Sequence, residues 1–185
     1  MFTEQEKRHI REVKDTIRFH IRGLKREFDW WKIVEENDAV YLTGGAIGSL
    51  LRNEMPKDWD FYFYSEDSAK SFKRILEFTY DDEIKEVNEL YSEHKDASGR
   101  MITANAITMK SDDSFIFTFA GSPADLRKSF DFVHCLPFYT IMSDTLYISK
   151  QQYNACVNKK LIYNTDIKDV KQWRVEKFVK RGYTF

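Results

Sequence analysis

A strand that ends in two glycines and passes at once into a helix constrains this chain more than any other feature. Ala39-Val40-Tyr41-Leu42-Thr43 reads as a short buried strand, Gly44-Gly45 breaks it, and Ala46 to Arg52 reads as a short helix. Glycines let a ligand approach the backbone closely. Helix N-terminal N–H groups then face that ligand and favour an anion. After the turn Met55-Pro56-Lys57, Asp58 to Tyr64 alternates as a strand. Asp58, Asp60, Tyr62 and Tyr64 share one face, and Trp59, Phe61 and Phe63 the other. Carboxylates at i and i+2 of a strand point the same way. They repel each other unless a cation sits between them. A hard dication with oxygen ligands, Mg²⁺ or Mn²⁺, is the natural filler. An anion cradle beside a dication site suggests a nucleoside triphosphate.

Two-metal phosphoryl chemistry calls for a third carboxylate. Asp131 is the best candidate, because Phe130-Asp131-Phe132-Val133-His134-Cys135 reads as a buried strand. A lone Asp there is costly without a partner or a metal. His134 falls off the Asp131 face by strand parity and reads as an ordinary packed or surface histidine. Asn105 and Thr108 are hairpin polar positions that could meet a base or sugar but more often serve structure.

The remaining pattern sets the fold class. Thr3-Glu4-Gln5-Glu6 is a capping box. Ile10, Val13, Ile17, Ile21, Leu24, Phe28 and Trp31 then form one apolar helical stripe, with a kink or break expected near Gly23. Ser65 caps a helix to about Phe78. Ile84 to Tyr91 is weakly strand-like, Asp96 to Gly99 is a turn, and Met101–Met109 with Phe115–Ala120 form a hairpin. Ser122-Pro123 opens a helix, Thr145–Ile148 is a short strand, Ser149 caps a helix to about Lys160, and a last helix runs from Asp166 to about Lys180. This order gives an α+β class with a mixed or antiparallel sheet flanked by helices. With 185 residues and no linker, one domain is expected over 1–185, with an N-terminal helical region at 1–36 and C-terminal helices at 149–185.

The segment from 166 to 181 holds Lys168, Lys171, Arg174, Lys177, Lys180 and Arg181 against Asp166, Asp169 and Glu176. Arg174, Lys177 and Arg181 fall on one helical face. They suit a triphosphate or a nucleic-acid acceptor, although a solvated helix face has the same pattern.

Gly44-Gly45, twelve residues, then Asp58-Trp59-Asp60 resembles the signature of the polymerase beta-like nucleotidyltransferase superfamily. The stretch from Gly44-Gly45-Ala46 to Pro56-Lys57-Asp58-Trp59-Asp60 is most similar to the heads of CCA-adding enzymes and bacterial poly(A) polymerases. Those heads carry Arg-Asp soon after the glycines, where this chain has Gly48-Ser49. Thr103 to Thr108, Phe130 to Cys135 and Arg174 to Tyr183 resemble small nucleotidyltransferase-like proteins of bacteriophages. The resemblance spans about residues 38 to 183.

It implies a nucleotidyltransferase-like sheet with Asp58, Asp60 and Asp131 on two Mg²⁺ ions. Asp131 would also help deprotonate the acceptor hydroxyl, and Gly44, Gly45 and Ser49 would contact the phosphates of an NTP such as ATP. The implied activity moves a nucleoside monophosphate to an acceptor hydroxyl, foremost on RNA at a tRNA 3′ end. A protein or small-molecule acceptor is possible. A non-catalytic nucleotide or RNA binder, and a phage module that binds a host protein, are the competing classes.

Composition trims these choices. Net charge is −1 and the pI is about 6.4, so a general polyanion binder is not expected. No apolar run approaches a membrane span, and the first residues carry no apolar leader. A cytoplasmic location is expected, in the host cell if the chain is phage-encoded. Cys135 and Cys156 have neither metal-ligand nor disulfide spacing, so two reduced thiols are expected.

Overall fold

The capping box at Thr3 starts helix α1 (Glu4–Glu27). Thr3 Oγ1 accepts the Glu6 N–H at 3.2 Å, and the Glu6 carboxylate accepts the Thr3 N–H at 2.9 Å. Val13, Ile17, Ile21 and Leu24 of the apolar stripe are buried. The helix does not break at Gly23, which sits within it where a β-carbon would meet nothing within 4 Å. It ends at Phe28, and α2 (Trp30–Glu36) follows and buries Trp30 and Trp31. One glycine weakens a helix by only about 1 kcal/mol. Burial of the large side chains around it contributes more, roughly 1.5–3 kcal/mol each.

The computed structural model describes residues 1–36, 40–88, 106–164 and 170–185. Its strands are β1 (Val40–Thr43), β2 (Trp59–Phe63), β3 (Ile84–Asn88), β4 (Ala106–Met109), β5 (Asp113–Ala120), β6 (Phe138–Thr140) and β7 (Thr145–Tyr147). They form a seven-stranded mixed sheet in the order β3-β4-β5-β2-β1-β6-β7. The β2–β5 pair is parallel and the other neighbours are antiparallel. Helices α3 (Gly45–Leu50), α4 (Glu66–Thr79), α5 (Pro123–Leu126), α6 (Lys150–Val157) and α7 (Gln172–Lys180) complete the α+β fold. Among the described residues no helix is long and apolar enough to cross a membrane.

Register gives the two faces of the sheet different characters. Ile107, Phe115, Phe61, Leu42 and Tyr139 are successive partners across β4, β5, β2, β1 and β6, and all are buried. With residues of α1, α2 and α4 they form the main apolar core. The next row on the opposite face runs Thr108, Ser114, Asp60, Thr43 and Phe138. Side chains alternate across a strand, so a core row is followed by a polar one, and Asp60 sits in its middle.

Several expectations shift. Phe130 to Cys135 is not a strand. Asp131 lies in a bend, Phe132 makes an isolated bridge to Tyr163, and Val133–Cys135 is one turn of 3₁₀ helix. The strand that pairs with β1 on this side is β6. Asp58 precedes β2 rather than lying on it, and α3 begins at Gly45. The hairpin is β4–β5, closed by a turn in which Asp112 has φ of 65°. Expectations for Ala39, Glu89–Tyr91, Asp96–Gly99, Met101–Asn105 and Asp166–Asp169 fall outside the described residues.

Candidate active site

Asp60 is placed by register. It pairs with Thr43 on β1 and with Ser114 on β5. The Thr43 hydroxyl donates to the carbonyls of Pro137 at 2.8 Å and Cys135 at 3.2 Å, tying the end of β1 to the segment after Asp131. Gly44 follows with φ of 85° and ψ of −142°, a conformation side chains rarely adopt. A β-carbon on Gly44 would stand 3.3 Å from Asp60 Oδ2, whereas one on Gly45 would meet nothing within 4 Å. Gly45 is exposed, so a ligand can reach the backbone beside Asp60. Helix α3 has six residues, too short to rely on its dipole, and close backbone approach is what the glycines provide.

The electrostatics of Asp60 are unusual. Burial, and then the Asp58 carboxylate, push its pKa up to about 7, while Lys177 and Arg181 pull it the other way. Asp58 is exposed. The Lys177 ammonium is pushed down by desolvation and by Arg181 and Arg174, against the pull of Asp58 and Asp60. Lys177 and Arg181 of α7 therefore act electrostatically on the Asp58–Asp60 pair.

Asp131 has a different partner. Its carboxylate is buried and ion-paired to the Arg174 guanidinium, Nε to Oδ2. Among the described residues no group of three or more His, Cys, Asp or Glu side chains is arranged to hold a metal ion. Expected as the third member of a metal-binding trio, Asp131 has a guanidinium as its counterion instead. The sequence anticipated that a buried Asp would need a partner but not which one. Two carboxylates do fit one hard dication, which takes its other ligands from water and phosphate.

Ser49 does not point freely at the glycine turn. It is half-buried, and its hydroxyl accepts from Arg52 Nη2 at 3.4 Å. Arg52 also donates to Glu54 Oε2 at 2.8 Å, to the Tyr183 hydroxyl at 3.0 Å and to the Cys156 carbonyl at 3.3 Å. Thr108 shares a hydrogen bond of 2.9 Å with Ser114, next to Asp60 in the polar row. Asn105 lies outside the described residues.

Sequence reasoning missed Asn164, whereas His134 takes the packed of its two expected settings. Asn164 is 1% exposed. Its amide nitrogen donates to the carbonyls of Arg127 at 2.7 Å and Phe130 at 2.9 Å, and its backbone N–H donates to the Asp131 carbonyl at 2.8 Å. It fixes the loop that presents Asp131. An Asn is common in loops, so its identity gave no signal. His134 is buried between Phe132, Phe178 and Tyr183. Burial, then Arg52 and Arg181, push its pKa down to about 3, so it is neutral at physiological pH. Cys135 and Cys156 are free thiols whose burial pushes both up to about 12.

Beside Asp60, on the same sheet face, Tyr41, Thr43, Arg127, Phe130 and Phe138 line a shallow cleft.

A family model described as Gad2, Gabija anti-defense 2 family protein, matches residues 9–159, and the chain belongs to that family. No curated protein matches. Two solved structures are similar at low identity. The Bacillus stearothermophilus CCA-adding enzyme in complex with CTP is 13% identical with a TM-score of 0.47, over 72% of this chain and 31% of that one. The Thermotoga maritima CCA-adding enzyme complexed with tRNA is 16% identical with a TM-score of 0.44, over 82% of this chain and 40% of that one. The chain thus spans well under half the length of either enzyme.

Proposed function

We propose that this member of the Gabija anti-defense 2 family is a metal-dependent nucleotidyltransferase. It moves a nucleoside monophosphate from an NTP to an acceptor hydroxyl, foremost on an RNA 3′ end such as that of tRNA, and releases pyrophosphate. The observation that carries this reading is the approach of Gly44 to Asp60 at the end of β1, where Lys177 and Arg181 of α7 also act on the Asp60 carboxylate.

Each group has a role in it. Asp58 and Asp60 hold a dication, Mg²⁺ or Mn²⁺, which when bound withdraws charge from the phosphate oxygens. Gly44 and Gly45 admit the phosphates against bare backbone, and Ser49 stands one turn further along α3. Lys177 and Arg181 neutralise the outer phosphates, as cations do at sites of developing anionic charge. The acceptor oxygen attacks the α-phosphorus, the bond to the bridging oxygen of the β-phosphate breaks, and pyrophosphate leaves. The acceptor's proton passes to Asp131 once that carboxylate is free of Arg174, or otherwise to water.

The Arg174–Asp131 ion pair favours a second reading, a non-catalytic nucleotide or RNA binder in which a guanidinium has replaced a metal. The family's name gives either reading a setting, action against a defence system, with transfer onto one of its components or capture of it as the means.

Pyrophosphate release separates them. Each NTP is incubated with Mg²⁺ and total cellular RNA, with Asp58→Asn/Asp60→Asn as control. RNA-dependent release that the double substitution abolishes supports transfer. Nucleotide binding by calorimetry with no release, under Mg²⁺ and Mn²⁺ alike, supports the binder.

A further inference from the structure

We propose that α7 is a counterion latch, in which Arg174, Lys177 and Arg181 neutralise the site's carboxylates until a metal–triphosphate complex exchanges partners with them. The proposal rests on the reading of Asp58 and Asp60 as a metal–nucleotide site and names how that site is regulated.

Charge matching is the first support. Arg174 is ion-paired with Asp131, and Lys177 and Arg181 follow it on the same helical face, so all three cations are turned to the side that holds the carboxylates. The three cations stand at steps of three and four along one helix, so they move together. The second support is how lightly α7 is held. None of its residues is fully buried. Val175 and Phe178 pack, only partly buried, against the small cluster of Phe132, Cys135, Leu161 and Tyr183. Segments with few buried apolar contacts open most readily.

Exchange follows from electrostatics. A dication alone must displace cations that already neutralise the carboxylates. A triphosphate alone must pull those cations away and leave buried carboxylates bare, which is costly. The two together satisfy every charge at once, with the dication on the carboxylates and the phosphates on Arg174, Lys177 and Arg181. Each ligand therefore raises the affinity for the other, and the coupling is reciprocal. Asp131 is uncovered only when Arg174 turns to phosphate.

The test measures binding rather than turnover. Mn²⁺ is titrated by electron paramagnetic resonance and α,β-methylene-ATP by calorimetry, each alone and in the presence of the other, for wild type, Arg174→Gln and Asp131→Asn. For Arg174→Gln the latch requires Mn²⁺ to bind roughly tenfold tighter without nucleotide, a typical coupling size, and metal-free nucleotide to bind more weakly. Asp131→Asn frees Arg174 and strengthens metal-free nucleotide binding. Lys177→Gln, at an exposed position, carries the same signs as Arg174→Gln if the latter does not fold. The latch is overturned if these charge removals leave Mn²⁺ affinity unchanged or lower it, or if Mn²⁺ and nucleotide bind wild type without coupling. Failure of wild type to bind either ligand would instead overturn the reading of the site.

Discussion

Asp60 Oδ2 lies 3.3 Å from the place a β-carbon on Gly44 would occupy, so these two residues share one small space at the end of β1. Gly44 also holds φ of 85°, where L side chains are strained. Gly44→Ala therefore presses on the carboxylate and forces the backbone at once. A strained backbone position of this kind costs roughly 1–3 kcal/mol. Thermal melts should place Gly44→Ala well below wild type, with weakened Mn²⁺ binding. Gly45→Ala, with open space around it, should melt near wild type.

Asp60 and His134 give stability two opposing pH dependences. Asp60 is raised from 3.8 to about 7, so between those values the unfolded chain ionises while the folded one keeps its proton. Its contribution is full below pH 3.8 and is lost as pH rises through about 7. His134 is lowered from 6.5 to about 3, so its contribution is present above pH 6.5 and is lost as pH falls towards 3. In wild type the two slopes largely offset between about pH 4.5 and 6. Urea titrations across that window should show Asp60→Asn gaining stability with rising pH and His134→Phe losing it. Slopes of the same sign in both variants would contradict the assignment.

Asn164→Ala removes the donor to the carbonyls of Arg127 and Phe130. Both bonds are part-buried, so each contributes about 1 kcal/mol. The Asp131 loop should loosen before the rest of the molecule. Hydrogen exchange checks this, with faster exchange expected at 130–136 and none of that change in β2 or β5.

In the main core, Phe115 meets the rings of Phe72 at 4.7 Å, Trp30 at 5.5 Å and Phe61 at 5.6 Å. Phe115→Ala should lose about 3–5 kcal/mol, as Phe-to-Ala changes in cores do. Phe78→Ser, at an 86% exposed position, should stay within about 0.5 kcal/mol. Denaturant midpoints distinguish the two.

Local chemistry made much of this fold legible. The capping box at Thr3, the Ser65, Ser122 and Ser149 caps and the alternation of Trp59 to Phe63 all act within a few residues, and the structure has each of them. Phe130–Cys135 reads as a strand because an aromatic run with an acid in it has a strand's pattern, whereas its burial comes from Asn164, Phe178 and Tyr183, far along the chain. The helix break at Phe28 rather than Gly23 has a similar cause, since tertiary burial of Trp30 and Trp31 outweighs one glycine. In the site, Gly44 beside Asp60 follows from a short-range pattern. The pairing of Arg174 with Asp131 joins residues about forty positions apart, and no spacing rule announces it.

Nucleotidyl transfer at Asp58 and Asp60 is tested by incubating the protein with Mg²⁺ or Mn²⁺, each α-³²P-labelled NTP in turn and total cellular RNA, and resolving the products on a denaturing gel that separates RNA from protein. Transfer at this site puts label in a discrete RNA band that is lost in Asp58→Ala/Asp60→Ala. Label that persists in the double variant, or no label on RNA or protein with any NTP while wild type still binds nucleotide, would contradict it.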